Sequence, residues 1–561
     1  MIRKVSKLIC SGVIFLTFLA SAAFANVSLK NGNFFIGYTD IVYPGGFEPK
    51  IERVYNSKSP YKGMFGWGWG CEYDVYLTVS VDGSVVIHEY GGGAENRFVP
   101  RNFSQEDLNK AVESIAGVAQ KLGVAGSVSQ LEAYKKRLAS DALFRNQEWE
   151  KFREQKKLKP RELANNTQLF SNRYSFQYIT KVNGGYVRAF DNGRIEKFGE
   201  NGKLLRISDK NNNFIELTYG KDGKLMKLAD NFNRKMFFSF NTQGFLSKIQ
   251  GENGKEVTYN YNNLSELVYS KDVDGNLYTY KYSTDKRHNM TEIGYGDKTT
   301  LAISYYDRKL HENVKSQKDR DGTVTEYVYT VDPKDKGHTA VAVKVKGPDG
   351  KLISNSNYEY NIKYKPDGEE WTYKLITTID GDRTETVYNE CCGLPLLIKR
   401  GSEETAFEYD KKGHVTKKIT PYEVTELSYD QKVGKVSKVV RYPKGKQSKV
   451  HWSTFQYDDK GNLAFAKNSE KKGVRLFYDI NGRIKSLVDQ SKRRIDFKYN
   501  ENSKPIEIRD PALGSITVSY TNSGEIKKVE STAGRKIALQ VTSAFQNLLD
   551  IIRPAGVSLS F

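Results

Sequence analysis

The chain has 561 residues, 36 of them tyrosine, and a formal charge of +20 at pH 7. That length can bury a sizeable core and usually holds more than one domain, and abundant Tyr, Val, Ile and Thr favours strands. Its Lys and Arg are spread thinly rather than clustered, which argues against a nucleic-acid reader and leaves acidic partners open.

Residues 1–25 have the layout of a signal peptide. Arg3, Lys4 and Lys7 precede an apolar run from Leu8 to Leu19, and Ala23-Phe24-Ala25 supplies small residues for cleavage before Asn26. Cys10 stands ahead of most of that run, the wrong place for lipid attachment. No later segment is apolar enough to cross a bilayer as a helix. The expectation is an exported chain with no transmembrane span, periplasmic, at the cell surface or extracellular. Losing the three basic residues of the leader lowers its charge from +20 to +17.

Residues 26–103 are dense in Gly and aromatics and form an expected N-terminal β domain, with strand-like runs at Tyr73 to Val81 and Ser84 to Glu89. The texture changes at Ser104, which with Asp107 makes a capping-box start. Leu108, Ala111, Val112, Ile115, Ala119 and Leu122 follow at helical spacing, Gly123 to Gly126 breaks the pattern, and Val128, Leu131, Tyr134 and Leu138 begin a second helix. Residues 104–160 are thus expected to be a helical insertion in a β protein, its apolar stripe packed on a partner helix or the neighbouring sheet.

From residue 174 to 541 the sequence repeats, ahead of a tail at 542–561. Phe198-Gly-Glu-Asn-Gly-Lys-Leu204, Tyr219-Gly-Lys-Asp-Gly-Lys-Leu225 and Phe240-Asn-Thr-Gln-Gly-Phe-Leu246 begin 21 residues apart. A similar step returns at Tyr388, Tyr409-Asp-Lys-Lys-Gly-His-Val415 and Tyr429, and after one longer interval it runs through Tyr457-Asp-Asp-Lys-Gly-Asn-Leu463, Tyr478-Asp-Ile-Asn-Gly-Arg-Ile484, Tyr499 and Tyr520. Asn-Gly and Asp-Gly pairs tolerate the positive φ of tight hairpin turns. Ile495, Phe497 and Tyr499 alternate with Arg494, Asp496 and Lys498, the period of a strand with one packed and one wet face. A lone hairpin is barely stable, so the units must pair edge to edge into one sheet. Between Tyr305 and Tyr360 the spacing stretches, and longer loops are expected there.

Tyr-Asp followed by a Gly-bearing turn every 21 or so residues resembles the YD repeat of Rhs proteins, teneurins and the shell-forming subunits of insecticidal toxin complexes. Asp40-Ile-Val-Tyr-Pro44-Gly45, Arg53-Val-Tyr-Asn-Ser57, Phe65-Gly-Trp-Gly-Trp69 and Glu89-Tyr-Gly-Gly-Gly93 resemble the domain that precedes the repeats in bacterial Rhs proteins. The resemblance implies a mainly β fold, with tandem hairpins spiralling into a sheet or partial hollow shell. About 30 strands at ~4.8 Å would make a single, open turn about 45 Å across. In many relatives the shell encloses a C-terminal toxin released by self-cleavage. Here Asp510-Pro511-Ala-Leu-Gly514 sits inside a repeat and reads as a turn, and about 40 residues after Tyr520 are too few for a toxin domain.

The residues offer little chemistry. His88, His288, His311, His338, His414 and His451 are scattered without a metal-ligand spacing. Asp272-x-Asp274-Gly-Asn276 opens like a calcium loop, but Leu277 and Ser283 stand where that loop needs Gly and Glu, so a hairpin turn is expected. No nucleophile elbow or phosphate loop is present. No catalytic residue, metal or cofactor is expected. Trp67 and Trp69 are candidate ligand-stacking residues, with packed structural anchors as the other reading. Cys71, Cys391 and Cys392 allow three states: small buried residues, a bridge from Cys71 to one of the other two, or a strained bridge between neighbours. The functional expectation is a non-catalytic scaffold binding an anionic envelope polymer, a carbohydrate or a protein. The alternative is a shell of a toxin-delivery system that encloses a separately encoded cargo.

Overall fold

The computed structural model describes residues 26–531 apart from short segments at 44–46, 90–93, 101–103, 160, 172–176, 253, 286, 308–311, 366–369, 391–392, 447–449, 502, 511–513 and 521–525. The expected signal peptide and C-terminal tail lie outside the described residues. Among those described, 36 strands form one long antiparallel sheet, beside a four-stranded sheet and a two-stranded one. The fold is mainly β, as the repeat implies.

Each repeat is a hairpin closed by its tyrosine. Tyr219, Tyr261, Tyr282, Tyr305, Tyr409, Tyr429, Tyr457, Tyr478, Tyr499 and Tyr520 each end a strand at a register shift in the ladder. Such a bulge re-aims the side chain. Every one of these hydroxyls donates to a carbonyl of the preceding unit, at 2.6–2.9 Å. The Asp that follows Tyr in the later repeats caps the turn. Asp458 Oδ1, for example, accepts from the backbone N–H groups of Lys460 and Asn462. The Asp272 loop is built the same way, with Asp272 Oδ1 accepting from Asp274 and Asn276 and Gly275 at φ +88°. It is a hairpin turn, as expected. Strands Pro505–Asp510 and Gly514–Tyr520 also pair as a hairpin around residues 511–513, which lie outside the described residues.

The strip coils back on itself. Lys210 Nζ donates to the Gly461 carbonyl at 2.8 Å, Asn462 Nδ2 to Asn211 Oδ1 at 3.0 Å, and Asn213 Nδ2 to the Asn481 carbonyl at 3.0 Å. Twenty-one strands, from Phe214–Tyr219 to His451–Tyr457, separate turn 209–213 from turn 458–462. An odd number puts the two turns on opposite edges of the meander, so one circuit stacks its edge on the next. At ~4.8 Å per strand a circuit is about 100 Å around and roughly 30 Å across. The single open turn expected from the strand count is therefore corrected: the strip winds more tightly and makes more than one circuit.

Residues 26–71 form the small sheet, ordered Asn26–Ser28, Asn33–Val42, Lys50–Asn56 and Trp69–Cys71, and it lies across the packed face of the first circuit. Strands Tyr76–Val79, Val85–Glu89 and Ala94–Pro100 instead belong to the long sheet, joined to strand Gln168–Ser171. The expected domain edge at residue 103 is thus no boundary in the packing. A bridge from Tyr76 to Lys203 and a bond from the Leu77 amide to the Gly202 carbonyl fasten this edge to the repeats.

The insertion comprises α1 (Gln105–Lys121), α2 (Val128–Ser140) and α3 (Ala142–Glu154). Ser104 and Asp107 form the expected capping box. The apolar stripe packs on its partner helices, with Leu108, Ile115, Leu138, Trp149 and Phe152 in one cluster. α3 was hidden in a charged stretch whose only buried residues are Arg145, Trp149 and Phe152. The stretched spacing after Tyr305 is taken up by strands, not by the longer loops expected. Val324–Val331, His338–Lys346, Leu352–Tyr364 and Glu370–Ile379 run to 8, 9, 13 and 10 residues.

Candidate functional site

The motif residues of the N-terminal segment converge on one buried centre. Arg53 and Asp40, both fully buried, pair through Arg53 Nε and Nη2 at 2.9 and 3.0 Å. Tyr259 donates to Asp40 at 2.6 Å, and Arg53 reaches Ser270 and Tyr280 on the repeat strands. A buried ion pair needs such added hydrogen bonds to offset desolvation. Trp69 carries the Arg53 guanidinium 4.3 Å from its ring and donates from Nε1 to Tyr282 at 2.9 Å. These contacts fasten the small sheet to the coil.

Of the two candidate stacking residues, Trp69 is fully buried and offers no surface to a ligand. For Trp69 the ligand-stacking reading is therefore corrected to the packed-anchor one: its ring lies among Tyr38, Tyr55 and Arg53 of the small sheet and Tyr280 of the strip. Trp67 is half-buried, its ring stacked at 4.6 Å and 8° on His288. Cys71 is a free and fully buried thiol, which burial pushes above its usual range. Cys391 and Cys392 lie outside the described residues.

A polar cluster joins the helical insertion to the sheet. His88 is buried, stacked on Tyr76 at 4.4 Å, with Thr78 Oγ1 at 3.0 Å, Glu95 at 3.2 Å and Glu150 of α3 at 3.5 Å. Burial alone would lower its pKa, but the two carboxylates outweigh burial and raise it. Nearby, burial pushes the carboxyls of Glu72 and Asp74 up to about 7, for Asp74 despite the Cys71 amide that bonds to it at 3.1 Å. Among the described residues no group of three His, Cys, Asp or Glu is placed to hold a metal ion, and no helix is long and apolar enough to cross a membrane.

What lies open is the packed face of the strip itself. One apolar cluster runs from the small sheet to Val341, and a second spans Val436 to Ile495. Between them the same face continues through ladder neighbours Val341, Tyr358, Thr377 and Thr384, and through Tyr360, Leu375, Thr386, Ile398 and Thr405. All but Val341 are only half-buried. From 352 to 419, Ile376 is the single buried residue among those described, and it pairs with Glu359 and Glu385 on the other, charged face. The result is a hydroxyl-rich and aromatic surface, edged by Arg400 and Glu403; Tyr358 and Tyr360 still pack against the first cluster, and from Leu375 onward none of its described residues is buried. Sequence reasoning missed it. Its signal was present in the Thr and Tyr enrichment of the stretched repeats.

A family model described as a domain of unknown function (DUF6531) matches residues 25–98. No curated protein matches the chain. Among solved structures the chain is similar to the crystal structure of TcdB2-TccC3-TEV, at 11% identity and a TM-score of 0.43, over 96% of this chain and 29% of that one. It is similar to a Photorhabdus luminescens Tc holotoxin pore at 10% identity and a TM-score of 0.42, over 89% of this chain and 27% of that one. For the crystal structure of TcdB2-TccC3 the figures are 12% and 0.40, over 90% and 30%. The chain spans less than a third of the length of these structures.

Proposed function

We propose that the chain is an exported, non-catalytic YD-repeat shell that holds a partner polypeptide against the open face of residues 352–419. The observation that carries this reading is the contrast between two stretches of one face. Over strands 204–314 that face is covered by a folded sheet of the same chain, and from Leu375 to residue 419 none of its described residues is buried. A surface that already packs polypeptide in one place is suited to do so in another. The likeness of the repeats to those of shell-forming toxin subunits supports a cargo of this kind. A carbohydrate polymer is the competing occupant, favoured only by the hydroxyls and aromatic rings of the bare face.

The test is a photo-crosslinking amino acid placed at Thr386 on the bare face, and separately at Glu385 on the opposite face, in the cell of origin. Adducts at 386 and none at 385 support the reading. Equal adducts at both positions, or none at either, contradict it. Digesting the adduct with protease or with glycosidases separates a polypeptide from a carbohydrate.

A further inference from the structure

The coil is held together by two kinds of bond. Along the strip, neighbouring strands share main-chain ladders. Between circuits, among the described residues, no backbone–backbone hydrogen bond crosses the seam. The contacts there are made by side chains: Lys210 to Gly461, Asn211 with Asn462, and Asn213 to Asn481. Lys504 pairs with Glu48 at 3.0 Å, and His414 Nε2 approaches Asp191 at 3.9 Å. Asn213 and Asn462 are buried at the seam, so their bonds are sheltered while it is closed, whereas salt screens the charged contacts. Burial, with the Lys210 ammonium beside it, pushes the Lys435 ammonium down to about 8, so two cationic side chains meet at the seam.

The two apolar clusters do not merge across this seam. They are joined along the strip only by residues 352–419, where the ladder runs with almost nothing buried beneath it. Sheet without a packed face is the least stable part of a β structure and the part most free to bend. Gly482 shows how closely the circuits approach. A Cβ there would stand 2.2 Å from the Asn211 side chain, and the residue is at φ +76°. We infer that the seam is a latch: it opens while both clusters stay folded, and the second circuit swings on the core-poor segment 352–419.

Hydrogen exchange on the purified full chain tests this. Gly482→Ala drives a methyl group into the opposing turn. Gly244→Ala is the control, at φ +89° with only a lysine side chain at ordinary contact distance. The expected result is at least ten-fold faster exchange with Gly482→Ala in turns 209–213 and 458–462 and in strands 352–419. Strands 214–305 and 484–499 should keep their wild-type protection. Gly244→Ala should leave the seam unchanged, and raising salt on the wild type should reproduce the Gly482→Ala pattern more weakly. The inference is overturned if Gly482→Ala speeds exchange only within its own hairpin. It is equally overturned if the seam and both clusters lose protection together.

Discussion

The hydroxyl of Tyr499 lies 2.7 Å from the carbonyl oxygen of Ile484, fifteen residues back, and Tyr478 stands in the same relation to Leu463 at 2.8 Å. The tyrosine of the repeat is therefore a clasp on the preceding hairpin as well as an apolar ring. Tyr499→Phe keeps the ring and removes the bond, and should cost about 1 kcal/mol in urea unfolding. Tyr364→Phe, on an exposed side chain, should cost nothing measurable.

That clasp explains why so much of the fold was legible in the sequence. The tyrosine, the Asp or Asn of the turn and the glycine at positive φ are each needed where they stand, so the register survives as a visible period. Tyr457, Asp458 and Gly461 show all three in one turn. The coiling was not legible, because it is set by tertiary approach between Asn211 and Asn462, and nothing in the two turns that hold them marks that they will meet. The bare face was missed for a related reason. Alternation reports which side of a strand faces inward, and it cannot say whether anything fills the space there. Asp40 and Arg53 were quoted as motif residues, yet only the structure shows them as one ion pair.

Breaking that pair should be severe. Arg53→Met leaves the Asp40 carboxylate buried without its cation, at a cost of about 3–5 kcal/mol. Replacing both, as Arg53→Met with Asp40→Leu, should recover much of the loss. Urea unfolding of the two variants checks this, and equal losses in both would contradict it.

The junction around residues 71–95 should tighten in mild acid. The fold keeps Glu72 and Asp74 protonated up to about pH 7, whereas in the unfolded chain such carboxyls ionise near pH 4. Their contribution is fully present below about pH 4 and is lost as pH rises through 7. His88 acts in the same sense. Its pKa is raised in the fold, so its contribution holds below about pH 6.5 and fades as pH climbs through the raised value. Thermal melts from pH 8 to pH 5 should show rising stability. Glu72→Gln and Asp74→Asn together should flatten the profile, and an unchanged slope would contradict the assignment.

Trp67 should prove structural. Its ring rests on His288, whose Nδ1 in turn lies 2.8 Å from Glu266. Trp67→Ala should destabilise by about 1–3 kcal/mol, the usual range for a half-buried ring. Partner capture at Thr386 should persist in the folded variant. Loss of capture without loss of stability would return Trp67 to the binding surface.

The central claim is that the strip makes more than one circuit, with opposite edges in register. Spin labels at Glu216 and Lys460, introduced through non-canonical residues, sit beside the two turns that meet at the seam. Twenty-one strands apart along an uncoiled strip, they would be about 100 Å from each other. The coil predicts a main distance within about 30 Å, one circuit stacked on the next. A distribution centred beyond about 50 Å would contradict the coil, and with it the seam.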